Sequence, residues 1–121
     1  MLLNLSNHPS SNWSQKQLLN SKDLFLSLHD LPFPVIAPKS TKNEVYNLAR
    51  RYASMCKRLL SKSLDKNNAV HIMGEHTFVF YLVTLLKKEK IKCIASTTSR
   101  NSQQNGNEKK SIFTFISFRE Y

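Results

Sequence analysis

Apolar and polar residues follow one another along this chain in blocks, and the blocks read as an α/β protein. Ala69–Met73 is a short apolar run preceded by the turn residues Lys66, Asn67 and Asn68. Gly74-Glu75-His76-Thr77 interrupts it, and a second apolar block, Phe78–Leu86, runs into Lys87-Lys88-Glu89-Lys90. A third, Ile91–Ala95, ends in the polar stretch Ser96-Thr97-Thr98-Ser99-Arg100, expected to be a turn. Strand, polar turn, helix, strand, polar turn is the βαβ order of a parallel sheet. Periodicity alone would also allow a buried strand over 78–86. Three lysines at its end and Glu75 or Thr77 at its start complement a helix dipole and favour the helix. Within that helix only Thr84 and the Tyr81 hydroxyl are polar, so nearly every side needs cover. The sheet supplies one side, and a second copy of the chain is expected to supply the other.

The remaining blocks extend the same design. Leu2–Leu5 is a short strand, closed by the polar loop Ser6–Ser11, in which Pro9 forbids further pairing. Ser14 and Gln17 form a capping box for a helix over 14–21, with Trp13 stapling its first turn. Leu24–Leu31 is expected to hold a second strand in its later half, with helix over 21–28 as the alternative. Pro32, Pro34 and Pro38 keep the next segment extended. A second capping box, Thr41 with Glu44, opens a helix to about Ser61 whose Val45, Leu48, Tyr52, Met55 and Leu59 recur at helical spacing. Asn101–Lys110 is polar and turn-rich and is expected to be a mobile loop. Strand character returns over Ser111–Tyr121, pairing antiparallel with Ile91–Ala95. The expected architecture is a single Rossmann-like three-layer sandwich over residues 1–121, mainly parallel, with an antiparallel C-terminal strand.

Composition narrows the partners. The chain has 121 residues, enough for one self-sufficient core. Its formal charge of +10 favours an anionic partner such as a nucleotide, nucleic acid or acidic lipid. A basic but merely solvated surface satisfies the same number. Cys56 and Cys93 stand far apart in apolar surroundings and read as reduced core thiols of a cytoplasmic protein. Met1–Leu5 lacks the basic and apolar regions of an export signal. No apolar run approaches the length of a membrane span.

The candidate chemistry lies in the polar loops at the strand ends, where open parallel sheets bind ligands. There is no glycine after the first strand for a dinucleotide turn, and no P-loop lysine motif. Gly74 at a strand–helix junction would let backbone N–H groups approach a phosphate, although an isolated glycine also marks an ordinary tight turn. The four histidines show no metal-ligand spacing, and no acidic cluster suits Mg²⁺. His71 lies within a strand and reads as structural. His8 and His76 lie in polar loops where either could move a proton. Ser96, Thr97 and Thr98, followed by Arg100, suit phosphate oxygens, the guanidinium bidentately.

Leu-Leu-Asn-Leu-Ser-Asn-His-Pro (2–9), the polar strand–helix turn in mid-chain and the C-terminal strand ending in Arg-Glu (116–120) resemble the small CRISPR-associated ring nucleases, stand-alone relatives of CARF domains. The residue matches are confined to those two short stretches, and Gly74–Thr77 carries no signature of that family. The resemblance implies a Rossmann-like homodimer that binds cyclic oligoadenylate across its two-fold axis and cuts it without metal or cofactor. On that expectation Asn7, Ser10 and Ser11 hold ribose and phosphate, Gly74, Glu75 and Thr77 with Ser96, Thr97 and Thr98 line the ligand, and His8, His76 and Arg100 are catalytic. The dimer would form through helix 78–86 or the C-terminal strand. Two other readings remain open: a cyclic-nucleotide sensor or sponge without turnover, and a basic nucleic-acid-binding protein.

Overall fold

The computed structural model describes residues 1–121. Five strands form one mixed sheet: β1 (Leu2–Ser6), β2 (Leu28–Asp30), β3 (Ala69–Met73), β4 (Lys92–Asn105) and β5 (Glu108–Glu120), in the order β2-β1-β3-β4-β5. β1 to β4 are parallel, and β5 returns antiparallel to β4. Helix α1 (Gln15–Leu24) links β1 to β2, α2 (Lys42–Leu60) links β2 to β3, and α3 (His76–Lys88) links β3 to β4. The Rossmann-like three-layer sandwich expected from the sequence is what the chain adopts. No helix is long and apolar enough to cross a membrane.

Alternation along β1 and β3 sends residues to two unequal cores. Leu3, Leu5, Val70 and Ile72 face α2 and α3, joined by Cys93 from β4 and by Phe78, Leu82 and Leu86 from α3. Leu2, Ala69 and Ile94 face the other way, toward Trp13, Phe25 and Leu18. Both cysteines are buried and free. Burial pushes the Cys56 thiol up to about 12 and Cys93 up to about 11, so neither is a ready nucleophile.

Several elements differ from their expectations. Leu24–Leu31 divides: the strand is in its later half, where Leu28–Asp30 pairs against Leu2–Asn4, while α1 runs on to Leu24. The helical alternative was the better reading of the first half, because Ser21 and Gln17 have buried contacts on that helix. Ser96–Arg100 is strand, not turn, and Asn101–Lys110 is no loop: β4 and β5 continue as a ladder to a tight turn at Gly106 and Asn107. Gly106 has φ of +61°, the left-handed setting that a two-residue hairpin turn needs. An exposed ladder has no hydrophobic face to advertise, so its polar composition looked like a loop. Lastly, α2 covers part of the apolar α3 within the chain itself. Tyr46 packs edge-on against Tyr81 and Tyr52 against Phe78, leaving Phe80 as the large apolar side chain of α3 most open to solvent, at 66 %.

Candidate functional site

With strand order 2-1-3-4-5, the chain leaves β1 on one face of the sheet and reaches β3 from the other, so a crevice opens between the carboxyl ends of β1 and β3. Two cavities lie there. One, of about 530 Å³, is on the α1 face between α1, the ends of β1 and β3, and the β4–β5 ladder. Its polar side chains include His8, Gln17, His71, Ser96 and Thr98, and its apolar walls are Trp13, Phe113 and Phe115. The other, about 580 Å³, lies toward β2 among Asn7, Pro9, Asp30 and the proline segment that follows.

A buried polar chain forms the floor between them. Asn4 and His71 sit at paired positions of β1 and β3, each about 1 % exposed, and both are flanked by apolar residues on their strands. Asn4 Nδ2 donates to the Asp30 carboxylate at 2.8 Å and to the His8 carbonyl at 2.9 Å. Both partners only accept, which fixes the amide orientation and makes Asn4 Oδ1 an acceptor. It accepts from Ser6 Oγ at 2.8 Å and from His71 Nδ1 at 2.9 Å. His71 therefore carries its proton on Nδ1, and its Nε2 accepts from Ser96 Oγ at 2.7 Å. Gln17 Nε2 donates to the same Ser96 oxygen at 3.0 Å. Asp30 also accepts from the Ser10 backbone and hydroxyl, which with the Asn4 amide hold its carboxyl below the usual carboxylate range despite partial burial. Burial, with a smaller contribution from His8, pushes His71 down to about 4.

The indole of Trp13 stands edge-on to His71 at 5.2 Å and donates to the His8 carbonyl at 3.1 Å, so it clamps the imidazole and the loop together. Phe118 of β5 also packs edge-on against the imidazole at 5.7 Å, and meets the indole at 6.1 Å. Ser96 and Thr98, two apart on β4, share the face that lines the cavity, while Thr97 bonds Ser117; the register shift between Thr97 and Thr98 sets Phe115 opposite Thr98, on the cavity side.

The sequence-level candidates divide into three groups. His8, Ser96 and Thr98 meet in the first cavity. Asn7 lines the second, and its N–H extends the sheet by donating to the Met73 carbonyl. Ser10 is committed to Asp30, and Ser11 is exposed on the short 3-10 turn Ser10–Asn12. Arg100 is on the hairpin, its guanidinium over Phe113 at 5.7 Å and donating to Ser111, turned toward the tip. Gly74, Glu75, His76 and Thr77 line neither cavity. Glu75 caps α3: its carboxylate accepts from the Thr77 and Phe78 N–H groups, filling with its own charge the place a phosphate would need. The glycine before it has another cause. A Cβ on Gly74 would lie 2.3 Å from the Phe33 ring, which packs edge-on against Phe78.

Sequence reasoning assigned no site role to Asn4, Trp13, Gln17 or the two phenylalanines, and read His71 as structural. One signal was available: Asn4 and His71 each interrupt an apolar parallel strand, and a buried polar group needs a partner. No group of three or more His, Cys, Asp or Glu side chains converges as a metal site would require. The chain belongs to the uncharacterized protein MJ1673 family, whose model matches residues 1–119. No curated protein and no solved structure matches it.

Proposed function

We propose that this member of the family binds a cyclic oligoadenylate at the crevice between β1 and β3 and opens the ring without metal, by attack of a ribose 2′-hydroxyl on the neighbouring phosphorus. The observation that supports this reading best is the first cavity: a volume of about 530 Å³, aromatic on its walls and lined with hydroxyl, amide and imidazole groups. Aromatic walls suit adenine bases and neutral polar groups suit ribose, in a volume within the usual range for small-molecule sites. No lysine or arginine lines it, so attraction of the anion rests on the overall charge of +10 and on Arg100 above Phe113. Aligning the 2′-oxygen with the phosphorus accounts for much of such a reaction. His8, exposed on the cavity wall, would protonate the departing 5′-oxygen.

A cyclic ligand is larger than one such cavity, so two copies related by a two-fold axis would share it. The exposed Phe80 on α3 and Ile112 and Phe113 on the hairpin are apolar surface open to such a contact. A second messenger of this kind also puts the protein in the cytoplasm. The test is to incubate purified protein with cyclic tetra- and hexa-adenylate in EDTA and follow ligand mass. Linear products ending in a 2′,3′-cyclic phosphate are expected. Binding with unchanged mass would convert the protein to a sensor or sponge. Neither binding nor product, with salt-sensitive capture of ordinary oligonucleotides instead, would make it a nucleic-acid-binding protein.

A further inference from the structure

The buried chain from Asp30 through Asn4 and His71 ends at Ser96, an oxygen with one acceptor position left over. A hydroxyl has one proton to give and two lone pairs. Ser96 Oγ gives its proton to His71 Nε2 and takes one from Gln17, and its residue remains partly exposed in the cavity lining. The vacant position is complementary to an O–H or N–H donor and unfavourable to a phosphate oxygen. That differs from the phosphate-holding role its composition suggested.

We infer that Ser96 accepts the proton of the ligand's attacking 2′-hydroxyl while passing its own proton to His71 Nε2, with Asn4 holding the imidazole in the receptive tautomer. The inference rests on the ring-opening reading above. As the 2′-oxygen forms its bond to phosphorus, the bond from phosphorus to the 5′-oxygen breaks. The 2′-proton moves to Ser96 Oγ, the former Ser96 proton to Nε2, and the 5′-oxygen takes a proton from His8 or water. Products are a 2′,3′-cyclic phosphate and a 5′-hydroxyl, and the imidazolium returns its proton to solvent through Ser96. Ser96 touches the substrate, whereas His71 and Asn4 act through it. Burial pushes His71 down to about 4, which makes it a base of carboxylate strength, free to accept at neutral pH. The titratable groups facing it are His8 from the loop after β1 and Asp30 behind Asn4. α1 and β5 present the neutral Gln17 and Phe118, and Glu120 stands opposite Ile94, farther from the crevice.

The test measures binding and single-turnover cleavage of cyclic tetra-adenylate by the unmodified protein and by Ser96→Ala, Ser96→Thr and His71→Gln, each checked by thermal melting. Ser96→Ala and His71→Gln should bind within about 3-fold of the unmodified protein but cleave roughly 100-fold or more slowly, the usual scale of a lost proton acceptor. Ser96→Thr, which keeps the hydroxyl, should recover most of the rate. The unmodified protein should show no fall in rate as pH drops from about 8 to 5.5, since a base of ordinary histidine strength would lose activity below about 6.5 whereas a general acid would not. That profile needs no variant to fold. Unchanged rates in Ser96→Ala and His71→Gln, or a rate that falls on acidification through about 6.5, would overturn the inference alone. No binding and no cleavage by the unmodified protein would overturn it together with the function it rests on.

Discussion

At the scale of single residues, His71 couples the candidate site to stability. Its folded pKa of about 4 lies below the unfolded value near 6.5, so between those pH values the unfolded chain binds more protons. Stability therefore rises with pH through that window and falls on acidification, by about 2 kcal/mol between pH 7 and pH 5 for this group. Denaturant titrations at the two pH values should show that loss, and His71→Gln should remove most of it. An equal pH dependence in the variant would place the titration at another group; Asp65 cannot be that group, because its carboxyl, held near 2 by the Met1 ammonium and the Asn67 and Leu26 N–H groups, loses its contribution only below about pH 4. Gly74 makes a second residue-scale case. Gly74→Ala should cost about 1–3 kcal/mol because the new methyl meets the Phe33 ring, which is pinned against Phe78. In a Phe33→Ala background most of that cost should vanish, since Gly74 is not held at a left-handed φ. If the penalty persisted there, the glycine would be required by its backbone and not by the ring.

At the scale of elements, helix ends were the easiest features to read from the chain. Ser14 accepts from the Gln17 N–H and Thr41 from the Glu44 N–H, as their spacing implied, because capping is settled within four residues. Strand ends were harder. Leu24 belongs to α1 although the Phe25 and Leu26 that follow it are as apolar as a strand, and only pairing with β1 limits β2 to three residues. The hairpin shows the same limit from the opposite side. Residues 101–112 are exposed throughout, so cross-strand hydrogen bonds and one glycine hold them, not burial. Replacing 101–112 by a two-residue Asn-Gly turn should therefore change stability by less than about 1 kcal/mol, roughly 4 °C in Tm. Retention of the fold with Phe113 still in place is the expected outcome of calorimetry and circular dichroism. A large drop would mean that the outer ladder supports the sheet.

At the scale of the whole molecule, the order of blocks along the chain was enough for an α/β sandwich with a parallel sheet and an antiparallel last strand, because apolar periodicity and capping are local properties. It was enough as well to draw attention to the polar residues after β1, some of which do reach the crevice. Which of them meet was decided by folding. His8 and Ser96 come together because β1, β3 and β4 are adjacent and in register, while His76 and Thr77, with the same polar character, face elsewhere once α3 turns away. Asn4 and His71 lie 67 positions apart and become partners only through the β1–β3 ladder. Local sequence can set the shape of each segment, since neighbours along the chain supply the needed contacts. The hydrogen-bonded chain from Asp30 through Ser96 to Gln17 joins four strands and a helix, and a hydrogen bond between distant residues exists only after the sheet has brought them within about 3 Å of each other.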